Sequence, residues 1–322
     1  MKLARYFERR LLHAVFLLIA ISVLAFAISQ CAPGNFLDDL KVNPQISPQT
    51  IDALRTQYGL NEPLRVRYFR WMKSFVRGDF GYSLSYNIPV SQLLWGRMRN
   101  TLFLGSMSML IAWGLALPMG IWSAGKATTW LDRVCSWLSI LLLATPELAL
   151  ALFLILMAAH FGTLPTGGMT SSSPETGLMA ASDILRHLIL PAAALALPAV
   201  PLLFRHVRTA MLEALNSPFI HAAKGHGIAE MRLLLRHALP VALNPLISLF
   251  GLSLATLVSG SFLVEVITGW PGLGPLFLQA IYSRDSQVVM AVVMLFSVFL
   301  IAANVIADLL IYAADPRVRA EC

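Results

Sequence analysis

Several apolar runs in this chain are long enough to cross a lipid bilayer, and they constrain its fold more than any other feature. A membrane-spanning helix needs roughly 18 or more apolar residues in succession. Only 13% of the 322 residues are charged and 57% are hydrophobic, whereas about a quarter of a soluble domain is charged. We therefore predict an all-α integral membrane protein whose main solvent is the bilayer.

Six predicted transmembrane helices account for the apolar sequence. They are residues 11–29, 101–125, 134–159, 187–203, 241–267 and 287–313. Pro146 breaks the third span, and the density of prolines in the fourth span predicts kinks. A secretory signal peptide is the alternative for the first run, but that run is too long for a signal core and five more spans follow it.

The stretch 217–240 lies between two predicted spans and is far more polar than either. Ser217 suits a helix N-cap and Pro218 suits the first helical position, while Gly227 stands where a left-handed C-terminal residue is wanted. This pattern predicts a helix of about nine residues, followed by a second helix that ends at Pro240. A short polar helix between two spans has no lipid to face, so we expect it to dock into another protein.

Positive charges predict the orientation of the chain. Its net charge of +7 is better explained by basic cytoplasmic loops than by a nucleic-acid-binding patch, because the positive residues lie at the ends of spans. Thirteen Lys and Arg fall in the segments assigned to the inner side, against one in each short outer loop, Arg186 and Arg284. The positive-inside rule then places both termini and the stretch 217–240 in the cytoplasm.

Residues 32–100 form the one long polar region of the sequence. Five prolines interrupt it, and the stretches 50–58 and 64–76 have the pattern of helices. Long translocated segments largely escape the positive-inside rule, so the Lys and Arg of this region are compatible with an outer location.

Motifs for catalysis and cofactor binding are weak in this sequence. It contains no GxxxxGK[ST] phosphate loop, so this chain itself is expected to bind no cofactor. It shows no Ser-His-Asp or HExxH arrangement, and we therefore predict no catalytic residues. Four histidines crowd residues 206–237 without a Cys or paired carboxylate beside them, so we predict no metal site. The three cysteines are widely spaced and predict no disulfide framework.

The polar stretch resembles the coupling loop of bacterial ABC-importer permeases, the binding-protein-dependent transport permease family. The resembling residues are Ala222, Ala223, Gly227, Arg236, His237, Ala238, Leu239 and Pro245. After the first span, the segments LRTQYGLNEPL, YFRWM, RGDFGYSL and PVSQLL resemble the oligopeptide, dipeptide and nickel branch of that family. A Glu before a PGLG turn resembles a second, outer signature of the family. In this chain the outer signature is formed by Glu265, Pro271, Gly272 and Gly274.

The resemblance implies a bacterial inner-membrane permease subunit, multi-pass, for peptides or similar solutes. Its implied parts are an N-terminal interfacial segment with the first span (1–31), an extracytoplasmic cap (32–100) and a permease core (101–322) with a coupling loop at 205–240. Its implied partners are a second homologous permease subunit, two cytoplasmic ABC ATPases that bind the ATP, an extracytoplasmic solute-binding protein and the lipid bilayer, with no nucleic acid. The residues implied to couple to the ATPase are Ser217, Pro218, His221, Ala222, Ala223, Lys224, Gly227, Arg236 and His237.

Glu147 departs from the family pattern, because it lies in the middle of a predicted span directly after Pro146. An intramembrane carboxylate is costly and is functional by default, so both residues are candidates for the translocation pathway. The structural alternative is a Glu that caps the backbone groups freed by Pro146 or pairs with a group on another helix.

Two other classes of protein stay open at this point. A stand-alone channel or secondary transporter would have no use for a polar docking helix. An intramembrane enzyme would need a nucleophile–base set, which Glu147, His160 and His187 do not form. The sequence also leaves open which solute is carried, whether the pore is homodimeric or heterodimeric, and whether residues 32–100 contact the solute.

Overall fold

A computed structural model of the chain describes residues 2–31, 49, 56, 62–171 and 178–314. Nearly all of the regular structure is helical. The elements are α1 (Lys2–Cys31), α2 (Leu64–Val76), β1 (Tyr82–Ser83), β2 (Ile88–Pro89), α3 (Val90–Gly125), α4 (Trp130–Ala144), α5 (Glu147–Phe161), α6 (Leu178–Ala196), α7 (Val200–Leu215), α8 (Pro218–Gly225), α9 (Glu230–Arg232), a π-helical segment (Leu233–Ala238), α10 (Leu239–Thr268), α11 (Leu273–Tyr282) and α12 (Ser286–Ala314).

Four helices of the described chain are long and apolar enough to cross a membrane. They are Arg10–Cys31, Val90–Gly125, Met179–Ala196 and Ser286–Leu310. Three further helix pairs pass the same test but are bent by more than 40°, so the count is four spans, or up to seven if each bent pair is one span. The bend between α4 and α5 measures 103° and falls at Pro146, as predicted for the third span.

The predicted second span, 101–125, lies within a longer helix, because α3 begins at Val90 and ends at Gly125. Residues 90–100 contain polar and charged side chains, but most of them are good helix formers. A polar side chain does not end a helix unless it competes for the backbone hydrogen bonds, so the helix extends beyond its apolar part.

The predicted fourth span, 187–203, is displaced. α6 ends at Ala196 and α7 begins at Val200, so the chain breaks inside the predicted span. Pro198 lies in the break, and Pro201 lies in the first turn of α7, where its missing N–H leaves no helical hydrogen bond unmade. Pro191, by contrast, is accommodated inside α6.

The chain divides into two compact units, one of residues 1–3, 101–270 and 300–322 and the other of residues 4–100 and 271–299. In the first unit, small residues bring α3 and α7 close together: a Cβ on Gly120 would lie 2.5 Å from Cγ1 of Val207. One core cluster of this unit contains Val207 together with side chains of α8, α10 and the π-helical segment.

The second unit contains a small hairpin that is tied to the start of α12. β1 and β2 pair antiparallel, with Ser83 opposite Ile88. Ser83 Oγ donates to Asp285 Oδ2 at 2.6 Å, and the N–H of Val288 donates to the other oxygen of that carboxylate at 3.3 Å. Asp285 therefore caps α12 and holds the hairpin at once. The helix predicted over 64–76 is confirmed as α2, whereas nearly all of the stretch 50–58 lies outside the described residues.

Candidate functional site

The predicted docking helix is present as a separate short helix, α8, between α7 and α9. Pro218 takes its first position, as predicted. Ser217 stands at the N-cap but makes no side-chain cap hydrogen bond there. Its Oγ instead donates to the carbonyl of Ala214 at 2.5 Å. The predicted capping role of Ser217 is therefore wrong, because the free carbonyls at the end of α7 compete for the same hydroxyl group.

One apolar side chain anchors α8 to the first unit. Ile220 is 1% exposed and belongs to the same core cluster as Val207 of α7 and Leu234 of the π-helical segment. The remaining surface of the helix is open. Its exposed residues, with those of the turn that follows, are Pro218, Phe219, His221, Ala222, Lys224, Gly225, His226 and Gly227. The predicted Ala223 is half-buried against the cluster.

Gly227 adopts the predicted left-handed conformation, with φ = +75°. Its N–H donates to the carbonyl of Lys224 at 3.0 Å and so closes the turn after α8, which has 8 residues. No heavy atom of the described residues would lie within 4 Å of a Cβ at this position. The backbone conformation, and not a lack of space, therefore favours glycine here.

The second predicted helix is interrupted and does not end at Pro240. After α9, the chain forms the π-helical segment Leu233–Ala238 and then continues as α10, whose first turn contains Pro240. The wide π-helical turn already interrupts the α-helical hydrogen-bond ladder, so a proline directly after it costs little. In this segment Arg236 is exposed and His237 is half-buried, and the segment packs against α8.

An ion pair that the sequence analysis missed ties α7 to the start of α4. Arg208 Nε donates to Asp132 Oδ1 at 2.7 Å, and Arg208 Nη2 donates to Oδ2 at 2.9 Å. The carboxylate also accepts the hydroxyl of Ser123 and the N–H of Thr128 at 3.0 Å. The Asp132 side chain is 7% exposed and that of Arg208 is 29% exposed. The hydrogen bonds to Asp132, together with its negative charge, raise the pKa of Arg208.

A local signal for Asp132 does exist in the sequence. Thr129 and Asp132 have the spacing of a capping box at the start of α4, although Thr129 makes no side-chain cap hydrogen bond. Thr128 has φ = +68°, a strained conformation for a β-branched residue, and its N–H is held by the carboxylate. The cation lies 76 residues further along the chain, and no local pattern indicates a partner at that separation.

Glu147 lies at the bend between α4 and α5, directly after Pro146. Its carboxylate lies next to Gly260 of α10: a Cβ on this glycine would lie 3.2 Å from Glu147 Oε1 and 3.3 Å from Cδ1 of Leu195 of α6. Within the part of the chain that the structure describes, Oε1 is enclosed and has no hydrogen-bond partner. The start of α5 also has no side-chain cap hydrogen bond. The described residues thus show neither a capping role nor a cross-helix partner for Oε1.

The residues of the outer signature lie in two places. Glu265 is fully buried near the C-terminal end of α10. Pro271 and Gly272 form the turn into α11, which contains Gly274, and Asn100 Nδ2 donates to the carbonyl of Pro271 at 2.9 Å. Glu265 and this turn belong to different compact units. The residues predicted to couple to an ATPase lie on α8, directly before and after it, and on the π-helical segment.

Among the described residues, no group of three His, Cys, Asp or Glu side chains is placed to hold a metal ion. The two cysteines that the structure describes, Cys31 and Cys135, are free thiols. The third cysteine of the sequence, Cys322, lies outside the described residues.

The bent apolar helices and the exposed short helix that is anchored between them form a fold like that of the membrane subunits of solved ABC transporters. The fold resembles that of the MetNI methionine ABC transporter in an inward-facing conformation, with a TM-score of 0.52, 22% sequence identity and coverage of 68% of this chain and 96% of that chain. It also resembles the crystal structure of an amino acid ABC transporter with histidines, with a TM-score of 0.53, 17% identity and coverage of 69% and 94%.

The chain belongs to the family of binding-protein-dependent transport system inner membrane components, whose model matches residues 116–320. The model for the N-terminal part of such components matches residues 3–104. The oligopeptide transport system permease protein AppB of Bacillus subtilis is 37% identical over 318 residues, which cover 98% of this chain and 99% of that protein. The dipeptide transport system permease protein DppB of Alkalihalophilus pseudofirmus is 32% identical over 330 residues, with coverage of 98% and 99%. The glutathione transport system permease protein GsiC of Salmonella typhi is 31% identical over 315 residues, with coverage of 98% and 98%. The chain is thus an ABC-importer permease of the inner membrane, as the sequence predicted.

Proposed function

We propose that this permease forms one half of the membrane pathway for peptides or similar small solutes. The permease function follows from the family, whereas the solute class is inferred from relatives. Three relatives that match 98% of this chain are named for the transport of oligopeptides, dipeptides and glutathione. The family branch that the sequence resembles carries oligopeptides, dipeptides or nickel, and of these solutes peptides agree best with the names of the relatives.

The observation that carries the coupling part of the proposal is the anchored position of α8. Ile220 sits in one core with side chains of α7 and the π-helical segment, so a displacement of α8 is passed to both neighbours. The exposed surface offers cationic Lys224 and Arg236 beside apolar Phe219, Met231 and Leu235. A polar surface with apolar side chains suits a protein partner. We assign this surface to a cytoplasmic ATPase.

The remaining parts of the proposal concern topology and assembly. The chain would cross the membrane six times, with both termini in the cytoplasm and residues 32–100 outside. Residues 1–31 would form an N-terminal interfacial segment and the first span, and residues 101–322 would form the permease core with the coupling loop 205–240. The partners would be a second permease subunit, two ATPases that bind the ATP, and an extracytoplasmic solute-binding protein. Neither a cofactor nor a metal ion would bind this chain itself.

Glu147 is proposed to face the translocation pathway at the bend made by Pro146. Among the described residues Oε1 is enclosed and has no hydrogen-bond partner, so a solute could donate a hydrogen bond to it once a movement of the helices opens this site. Peptides carry an ammonium group at one end, which is a suitable donor. Gly260 leaves room beside the carboxylate, because a side chain there would crowd Oε1. The outer signature, with Glu265 buried, is proposed to stabilise the outer ends of the helices rather than to contact solute.

Reconstitution tests the proposed function. The permease would be placed in liposomes with its partner permease and the two ATPases, and the uptake of a labelled short peptide would be followed with the binding protein outside. We expect uptake that requires both ATP at the ATPase side and the binding protein. Uptake that proceeds unchanged without ATP would contradict coupling and would favour a stand-alone channel or secondary transporter. Transport of an unrelated solute, with no competition by peptides, would contradict the solute class alone.

A further inference from the structure

Helix α2 in the second unit packs on two apolar spans through one of its faces. Trp71 is 8% exposed and shares a core cluster with Phe26 of α1 and with Met290 and Met294 of α12. Ring contacts strengthen this face, because the Phe26 and Tyr68 centroids lie 5.4 Å apart with an edge-to-face arrangement. The helix is therefore fixed against α1 and α12 by an aromatic and methionine core.

The positions of these contacts along the spans give the depth of α2 relative to the membrane. The apolar part of α1 has 22 residues, Arg10–Cys31, or roughly 33 Å of helix, which is close to the thickness of the hydrocarbon core. Phe26 lies about 8 Å from the end of that span, and Met290 lies about 6 Å from the start of α12, at 1.5 Å per residue. Interfacial helices bury their apolar face about 5–10 Å into the boundary between headgroups and acyl chains. Taking these helix ends as the edge of the hydrocarbon core, we place α2 at the level of that boundary.

The other face of α2 is both basic and apolar. Phe69 is 69% exposed and Val66 is 45% exposed. With Arg65, Arg70 and Lys73 they line a shallow depression of about 430 Å³. Among the described residues, Glu62 is the one carboxylate that pairs with these cations, through Oε1 at 2.7 Å from Arg70 Nη2. The described residues in and beside the depression therefore carry a net positive charge.

We propose that this depression binds the headgroup of an anionic phospholipid. The three cations suit a lipid phosphate, while Val66 and Phe69 suit the first carbons of an acyl chain. A free phosphate would use the cations but would leave Phe69 exposed to water. An acidic protein surface would meet the charge, but a helix at the depth of the headgroup boundary is reached by lipid first. The proposal does not depend on which side of the membrane α2 occupies.

Native mass spectrometry of the full-length permease, purified in detergent, tests the proposal. Phosphatidylglycerol and phosphatidylcholine with identical acyl chains would be titrated separately. The test variant combines Arg65→Gln, Arg70→Gln and Lys73→Gln. The control variant combines Arg67→Gln, Arg77→Gln and Arg99→Gln, which removes the same charge from residues outside the depression. We expect the test variant to lose phosphatidylglycerol affinity by roughly fivefold for each cation removed, and the control variant to retain it.

Two further variants keep the outcome decisive. A variant with Arg65→Lys and Arg70→Lys preserves the charge and should bind phosphatidylglycerol within about twofold of the original chain if a lipid phosphate is recognised by charge. A variant with Phe69→Ser should bind both lipids more weakly. Inorganic phosphate should not compete with phosphatidylglycerol for the original chain or for this variant. Equal affinity for the two lipids in the original chain would overturn the proposal. So would a test variant that keeps its lipid but loses affinity for the solute-binding protein, because the face would then be a protein-docking surface.

Discussion

Arg208 donates two hydrogen bonds to Asp132 in a bidentate arrangement, from Nε to Oδ1 at 2.7 Å and from Nη2 to Oδ2 at 2.9 Å. The pair joins α7, the helix that leads into α8, to the first turn of α4. A planar guanidinium matches both oxygens of a carboxylate, whereas an ammonium group acts as a point charge. Because Asp132 is almost fully buried, removal of the cation leaves a carboxylate charge without compensation.

Arg208→Gln is therefore expected to destabilise the permease by roughly 2 to 4 kcal/mol, somewhat less than for a pair with both partners fully buried. Arg208→Lys should recover only part of that loss. Thermal unfolding of the purified chain measures the effect. Arg205→Gln is the matched control, because Arg205 is an exposed cation on the same helix. Asp132→Asn combined with Arg208→Gln should cost less than the sum of the single changes, and strict additivity would show that the pair is not coupled.

Gly227→Val is expected to disrupt coupling without preventing membrane insertion. The left-handed backbone at this position costs a residue with a Cβ roughly 1 kcal/mol or more, and a β-branched side chain is worst. The turn after α8 would rearrange, while the spans on either side would fold. We expect uptake to fall and the ATPase to co-purify poorly or to lose its stimulation by loaded binding protein. His221→Ala and Lys224→Ala, three residues apart on α8, should give milder versions of this defect.

Gly225→Ala provides the comparison for that experiment. Gly225 is the last residue of the same helix and does not have positive φ, and no heavy atom of the described residues would lie within 4 Å of a Cβ added there. It should therefore accept alanine with uptake and ATPase retention unchanged. If Gly227→Val behaves in the same way, with full uptake and normal ATPase retention, α8 is not the docking element.

Glu147→Gln should lower uptake while protein level and assembly stay normal, if the carboxylate faces the solute route. Glu147→Leu distinguishes a role in the translocation pathway from a structural role. If Glu147 faces the pathway, removal of the costly intramembrane carboxylate should abolish transport and can raise stability. Uptake by vesicles and the midpoint of thermal unfolding would be measured for both variants. Normal transport by the Leu variant would exclude the pathway role.

Orientation is testable with single cysteines placed at chosen sites. Positions 126, 224 and 317 are predicted to lie in the cytoplasm, and positions 61, 172 and 284 outside. The reason is that the segments assigned to the inner side hold far more Lys and Arg than the short outer loops. The background would lack Cys31, Cys135 and Cys322. An impermeant thiol reagent applied to intact cells should reach only the outer set. Labelling at position 224 from outside would reverse the proposed orientation.

Local backbone chemistry made part of this structure predictable. The helical period over 64–76 gave α2 its limits, and Gly227 was assigned its left-handed conformation from its place after a short helix. Pro146 indicated the break between α4 and α5. In each case the deciding interaction lies within a few residues of the signal, which is the range over which sequence patterns are informative.

Other features of the structure depend on interactions with groups that a local sequence pattern does not identify. The Ser217 hydroxyl could accept a hydrogen bond from an N–H group of α8 or donate one to the end of α7, and in the structure it donates to the carbonyl of Ala214. Pro240 would end a regular α-helix, but a π-helical turn precedes it and removes the conflict. The bond between Arg208 and Asp132 joins residues far apart in the chain, so only the packing of α4 and α7 reveals it.

The π-helical segment Leu233–Ala238 also sets the angular phase between α9 and α10. A π-helical turn holds about one residue more than an α-helical turn, and one residue corresponds to about 100° of rotation around a helix axis. Deletion of a single residue there could convert the segment to α-helix without changing any residue of α10. The surface that carries Met231 and Arg232 would then point in a direction roughly a quarter of a turn away. Insertions and deletions at this place would therefore change the direction of the exposed surface of α9 while α10 stayed intact.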